Sequence, residues 1–163
     1  MQTYSKQEIT ILLAEDDDGH AELILDNLRE AGLRNTILRF ADGQEVLNFL
    51  QGTPGSPALQ TNGAAYLLLL DIRMPKVDGV EVLRRLKNDP ALQTLPVVML
   101  TTTDDPCEVK HCYELGCNCY ITKPVDYERF AEMLQRLGLF LTIVQIPELQ
   151  HEHTKGTYYP CAE

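Results

Sequence analysis

Leu67-Leu68-Leu69-Leu70-Asp71-Ile72-Arg73-Met74-Pro75-Lys76-Val77-Asp78-Gly79 opens with four leucines and no alternation of apolar and polar positions. That pattern predicts a short strand buried on both faces of a parallel sheet. A carboxylate follows where the strand runs out. In an open α/β sheet this is the carboxyl edge, where ligands bind, so Asp71 falls on the functional rim. Pro75 and then Asp78-Gly79 mark a loop and a helix start, with Asp78 as the N-cap.

Working outward, residues 8–14 (EITILLA) read as a buried strand that ends in four consecutive acids, Glu15 to Asp18. Such acids suit a helix start, and at the end of a core strand they are also placed to hold a cation. A helix over 19–32 follows, with Ala21, Ile24, Leu25 and Leu28 on one face and Gly32 as its stop. Residues 35–40 (NTILRF) form a shorter, interrupted strand nearer an edge, and Asp42-Gly43 turns it into a helix through Leu50. Residues 52–63, rich in Gly, Pro and small polar side chains, make a long surface loop. Beyond the central stretch come a helix over 79–88, a buried strand over 96–100 ending in Thr101, a helix over 106–115, a strand over 117–122 ending in Lys123-Pro124, and a helix from Asp126. Five strands alternating with five helices predict an α/β fold: a doubly wound five-stranded parallel sheet with helices on both faces.

Composition narrows the function. In 163 residues, 24 acids against 14 bases give a net charge of −10, and no basic run or aromatic-spaced basic patch is present. Such a surface argues against direct binding of nucleic acid. No stretch approaches the roughly 20 apolar residues of a membrane span, and the polar N-terminus has no signal-peptide core, so a cytoplasmic protein is expected. Cysteines 107, 112, 117, 119 and 161 lack paired CxxC spacing, which favours reduced structural thiols over a zinc site or a redox switch.

The chemistry lies in a constellation rather than in any one residue. Glu15, Asp16 and Asp17 follow the first strand, Asp71 the third, Thr101 the fourth and Lys123 the fifth, so all reach the same rim. Taken singly, Thr101 is a turn hydroxyl, Lys123 a solvated charge and Asp71 a turn cap. Together they form a site. Crowded carboxylates raise one another's pKa, and a hard divalent ion such as Mg²⁺ removes that conflict. Asp71 is then available as an ionised nucleophile toward phosphorus, forming an acyl phosphate, while the metal and Lys123 offset charge and Thr101 donates to a transferring oxygen.

The segments Ile11-Leu12-Leu13-Ala14-Glu15-Asp16-Asp17, Asp71-Ile72-Arg73-Met74-Pro75 with Asp78-Gly79, residues 96–101, and Tyr120-Ile121-Thr122-Lys123-Pro124 resemble the receiver domain of two-component response regulators, of the chemotaxis-regulator type. The resemblance covers about residues 8–137. It implies the flavodoxin-like strand order 2-1-3-4-5 and phosphorylation of Asp71 by a histidine kinase in a phosphorelay. It implies Mg²⁺ held by Asp16, Asp71 and the main-chain carbonyl of Arg73, with Glu15 acting through water. It further implies that Thr101 and Tyr120 move together as a switch, and that the Lys123–Pro124 peptide bond is cis, which aims Lys123 at the site. Two departures bear on the lifetime of the phosphorylated form: Thr102 is larger than the usual residue at its place, and Arg73 sets a bulky cation beside the site.

Residues 137–147 (LGLFLTIVQIP) carry more apolar side chains than one helix face needs. If the last helix continues to about residue 144, Leu137, Leu141 and Val144 extend the core stripe. Leu139, Phe140, Ile143 and Ile146 then form a second stripe that must be covered, either by the tail folding back or by a second copy packed as a symmetric homodimer, the latter being the reading adopted. The long loop before the third strand, the stretch 118–126 and this apolar end together resemble the small regulators paired with bacterial phytochrome kinases, which implies a role in light signalling. The expected organisation is a receiver domain over 1–147 and a polar tail over 148–163, in which His151 and His153 read as tail residues rather than metal ligands. The function expected is a single-domain switch, not an enzyme beyond its own phosphorylation and dephosphorylation, signalling to an unknown downstream protein. Two alternatives are an aspartyl-phosphate phosphohydrolase and a module that only dimerises. The first lacks its proton shuttle, because Arg73 stands two positions after Asp71 where that class carries a second Asp.

Overall fold

The computed structural model describes residues 8–53, 59 and 64–149. The N-terminal residues 1–7, most of the 52–63 loop, and the tail with His151, His153 and Cys161 lie outside them. The elements alternate without exception: β1 (Ile9–Ala14), α1 (Asp18–Glu30), β2 (Ile37–Phe40), α2 (Gly43–Gln51), β3 (Ala65–Leu70), α3 (Gly79–Asn88), β4 (Val97–Thr101), α4 (Pro106–Leu115), β5 (Cys119–Thr122) and α5 (Tyr127–Ile143). All strand pairs are parallel and the order is β2-β1-β3-β4-β5, as the resemblance implied.

The four leucines now have a physical explanation. β3 is the central strand, buried at every position, and its side chains alternate between two cores. Tyr66, Leu68 and Leu70 join one core with residues of α2 and α3, including Val46, Leu47, Val82 and Leu83. Ala65, Leu67 and Leu69 join the other with Ile24 and Leu28 of α1 and Phe130, Leu134 and Leu137 of α5. Both faces are apolar because both are covered.

Every helix starts on an aspartate. Asp17, Asp42, Asp78, Asp105 and Asp126 cap α1 to α5 in order, each accepting from a main-chain N–H of the first turn. Since each helix begins just beyond the carboxyl end of a strand, these caps line the functional rim. Two glycines let the rim close up. A Cβ on Gly79 would lie 2.0 Å from the Asp71 carbonyl oxygen, and one on Gly43 would lie 1.8 Å from that of Val77.

Several boundaries differ from expectation: β1 and β2 start later, at Ile9 and Ile37, α1 runs over Asp18–Glu30, and β4 is shifted by one to Val97–Thr101; three further differences have a clear cause. β5 starts at Cys119 rather than at 117, because Gly116 (φ 108°) ends α4 with its N–H on the carbonyls of Cys112 and Tyr113, and Cys117 N–H also returns to Cys112. α5 ends at Ile143, and Val144 is already extended. Ile146 does not join an exposed stripe as expected; it is buried in the α1/α5 core. Pro147 disfavours helical backbone at the residue before it, so the chain leaves the helix and folds Ile146 inward. Leu149, assigned to the polar tail, is buried as well and its N–H donates to the Ala64 carbonyl at 3.3 Å.

Cys107, Cys112, Cys117 and Cys119 are free. Burial pushes the Cys117 thiol up to about 11 and raises that of Cys112, as suits structural thiols. No helix among the described residues is long and apolar enough to cross a membrane.

The close approach at Gly79 yields a direct expectation. Gly79→Ala should lower the unfolding free energy by about 3 kcal/mol, measured as a shift in the urea midpoint. An unchanged midpoint would contradict the packing of α3 against the end of β3.

Candidate functional site: an acidic rim with a buried lysine

The site is assembled from the ends of β1, β3, β4 and β5. The main-chain N–H of Asp71 bonds the Ala14 carbonyl at 3.0 Å, so the β1–β3 ladder runs one step beyond the strands and brings Asp71 beside Glu15. On the other side, Lys123 N–H donates to the Thr101 carbonyl at 2.7 Å. This carries the β4–β5 ladder to the rim and turns Lys123 over it.

The lysine ammonium is buried and bonds both Glu15 Oε2 and Asp71 Oδ2, the latter at 3.1 Å. Its remaining near neighbour is His20 Nδ1 at 3.3 Å, from the first turn of α1. The second Asp71 oxygen accepts from Ile72 N–H at 2.7 Å, and the second Glu15 oxygen from Asp17 N–H at 3.2 Å. Burial pushes the Glu15 carboxyl above its usual range, with the Lys123 hydrogen bond and charge opposing the rise and Asp71 adding to it.

Asp16 completes the cluster. Carboxylate oxygens of Glu15, Asp16 and Asp71 all lie within 4.8 Å of one another; Glu15 and Asp71 are buried, Asp16 exposed. Asp16 and Arg73 open onto a cleft of about 510 Å³ whose lining includes Met74, Pro75 and Glu108. The donor set fits a hard divalent cation. It is all oxygen, it is open to solvent on one side, and three carboxylates against one ammonium leave the two negative charges that such a cation cancels. Thr101 adds a second indication of something to be bound: its hydroxyl is buried and has no hydrogen-bond partner among the described residues.

The residues expected at the site thus divide. Glu15, Asp16, Asp71 and Lys123 converge. Asp17 does not join them; it caps α1 by accepting from His20 N–H at 2.8 Å, which is what lowers its carboxyl pKa. Tyr120 lies further along the same edge, where its hydroxyl donates to the Thr103 carbonyl at 2.8 Å in the β4–α4 loop; burial, then neighbouring acids, raise its phenol pKa. The expected cis Lys123–Pro124 bond is overturned, since no cis peptide bond occurs among the described residues. With the trans bond, favoured by about 0.5–1 kcal/mol before proline, the extended β4–β5 ladder already delivers Lys123 to the acids.

Sequence reading missed His20, Arg39 and the pair Lys76–Asp42. His20 gave no signal, because only the packing of α1 shows which way its first turn faces. Lys76 adopts a left-handed φ of 66° and bonds the capping Asp42 at 2.9 Å, tying the β3–α3 loop to the start of α2. The Asp42 carboxyl is shifted down overall: burial works to raise it, and the Lys76 contact and the cap hydrogen bond outweigh that.

Comparison with known proteins agrees with this geometry. Residues 11–135 match the response regulator receiver domain family. The chain is 34% identical over 138 residues to response regulator Rcp1 of Synechocystis sp., covering 84% of this chain and 92% of that protein. Rcp1 has been solved in a Mn²⁺-bound form that superposes with a TM-score of 0.74, covering 85% of this chain and 98% of that one. A receiver domain from Rhodospirillum rubrum is 45% identical with a TM-score of 0.81, covering 87% and 99%. The phosphorylated cyanobacterial phytochrome response regulator RcpA is 31% identical with a TM-score of 0.77, covering 85% and 98%. With a sheet of this order, an acidic rim bridged by a buried lysine, and a family match across most of its length, the chain belongs to the response regulator receiver domains and is related to the phytochrome response regulators.

Proposed function

We propose that the chain is a single-domain phospho-receiver that takes a phosphoryl group from a histidine kinase onto Asp71 and signals through protein contacts in the cytoplasm. The observation that carries this reading is the pairing of buried Lys123 with Asp71 and Glu15, at a rim where the Thr101 hydroxyl is buried with no partner among the described residues. Asp16, Asp71 and the Arg73 main-chain carbonyl would hold Mg²⁺, with Glu15 acting through water. When bound, Mg²⁺ draws charge from the phosphoryl oxygens and neutralises the carboxylates.

An Asp71 oxygen attacks phosphorus, the phosphorus–nitrogen bond of the donor phosphohistidine breaks, and the neutral imidazole leaves with a proton from solvent. Lys123 exchanges its contact with Asp71 for one to a phosphoryl oxygen. Thr101 supplies the donor it has free. Its rotation, with Tyr120 released from Thr103, converts about two added negative charges into a change at the β4–α4 loop and β5. Water later attacks phosphorus and returns Asp71 with inorganic phosphate. Arg73 stands exposed where a phosphohydrolase would need its acid and base, which supports a switch over a turnover enzyme.

Likeness to the phytochrome response regulator RcpA supports a phytochrome-type kinase as the donor. On α5, Leu139 (58% exposed), Phe140 (50%) and Ile143 (77%) stand together on one face, and this face supports a symmetric homodimer; Ile146 has no part in it. Sedimentation equilibrium should give a dimer mass that Ile143→Glu returns to a monomer. A wild-type mass that stays monomeric across concentration would exclude the dimer.

The central test uses Mg²⁺ and acetyl phosphate followed by intact mass. One added phosphoryl group is expected, and none on Asp71→Asn; continuous phosphate release without an adduct would favour hydrolase activity instead. Thr101→Val should separate stability from chemistry. Removing a buried hydroxyl that lacks a partner is expected to raise the unfolding free energy by about 1 kcal/mol, while phosphoryl uptake, followed by the same mass assay, slows at least tenfold.

A further inference from the structure

The acidic loop has a feature that neither phosphoryl acceptance nor the expected metal ligands accounts for. Arg39 sits on the edge strand β2 in register with Leu13 of β1, two residues before Glu15. Its side chain reaches forward past the end of the ladder. Nε and Nη2 donate to the Glu15 carbonyl at 3.2 and 3.1 Å, Nη2 approaches the Asp16 carbonyl at 3.4 Å, and the same nitrogen pairs with Asp18 Oδ1 at 2.7 Å. The last main-chain bond from this loop to β2 is Glu15 N–H to the Phe40 carbonyl, at 3.0 Å. Beyond that point the sheet offers no partner, and the guanidinium takes over.

We propose that Arg39 is a positioning residue for the metal site: by clamping the main chain at Glu15 and Asp16 it holds their carboxylates converged on Asp71. The proposal rests on the Mg²⁺ reading above and adds a residue outside the ligand set. Four consecutive acids repel one another, and left alone the loop relieves that repulsion by swinging Asp16 outward. A planar fork bonded to successive carbonyls opposes this through geometry. A lysine at the same place keeps the charge but has no fork.

Charge and geometry predict opposite signs, which makes the test decisive. As a bare cation near an anionic site, Arg39 would weaken Mg²⁺ binding, so Arg39→Gln would bind more tightly and Arg39→Lys would match wild type. As a clamp, both variants lose affinity. Isothermal titration of the full chain with MgCl₂ is expected to show about a tenfold weaker Kd for Arg39→Lys and Arg39→Gln alike, the scale seen when groups that orient metal ligands are removed. Hydrogen exchange on the metal-free protein gives an independent readout: the Asp17 amide, bonded to Glu15 Oε1, should lose protection in Arg39→Lys while the β3 amides keep theirs. Wild-type affinity and unchanged Asp17 protection in Arg39→Lys would overturn the clamp and leave the Mg²⁺ reading standing. A wild-type protein that binds no Mg²⁺ would overturn both.

Discussion

An ammonium and two carboxylates held away from water cost free energy to desolvate, and their mutual attraction seldom repays it fully. This chain accepts that burden at Lys123, Glu15 and Asp71. The group is also unbalanced, since one positive charge faces two negative ones, and burial, which the Lys123 contact only partly offsets, raises the Glu15 carboxyl. A core chosen for stability alone would place apolar side chains here. Such a network keeps its geometry only where the rest of the fold is firm enough to hold it in place.

That firmness comes from a parallel sheet covered on both sides. Parallel strands all end at the same edge, so residues separated by more than a hundred positions, such as Glu15 and Lys123, become neighbours without any special loop. The ladders extend one residue past the strands at Asp71 and Lys123, which fixes their main chains as rigidly as strand residues. Aspartates beyond the strands are shared between two duties. Those that cap helices are committed to main-chain N–H groups. Glu15, Asp16 and Asp71, which cap no helix, converge on one another instead.

Among the described residues, Thr101 has a buried hydroxyl with no partner, and the Tyr120 hydroxyl is tied to the β4–α4 loop by a hydrogen bond to the Thr103 carbonyl. Thr101 is fully buried, and Tyr120 packs against the core beside α2 and α3. On the β2 side, Arg39 binds the acidic loop through several contacts at once, and Lys76 ties the neighbouring loop to the cap of α2. The β2 side of the site is thus braced by side-chain contacts to main chain and caps.

Much of this was legible in the order of residues. Four leucines followed by Asp71, an apolar run before Glu15, and Thr101 and Lys123 after the later strands place each group at a strand end, because burial on both faces leaves a period-free apolar signature and turns are rich in Gly, Pro and Asp. The acids at 15–18 could not be sorted the same way: which one caps a helix and which face Asp71 depends on a turn of backbone that no local pattern encodes. Ile146 and Leu149 looked like an exposed stripe and a polar tail, yet both are buried, since the fold supplies core positions beneath the sheet that a linear reading cannot see. Local chemistry determined the elements and the rim residues of this protein; partners far apart in the chain, with Arg39 and His20 the plainest cases, were decided only by tertiary packing, because a side chain's target is set by where another strand or helix happens to end.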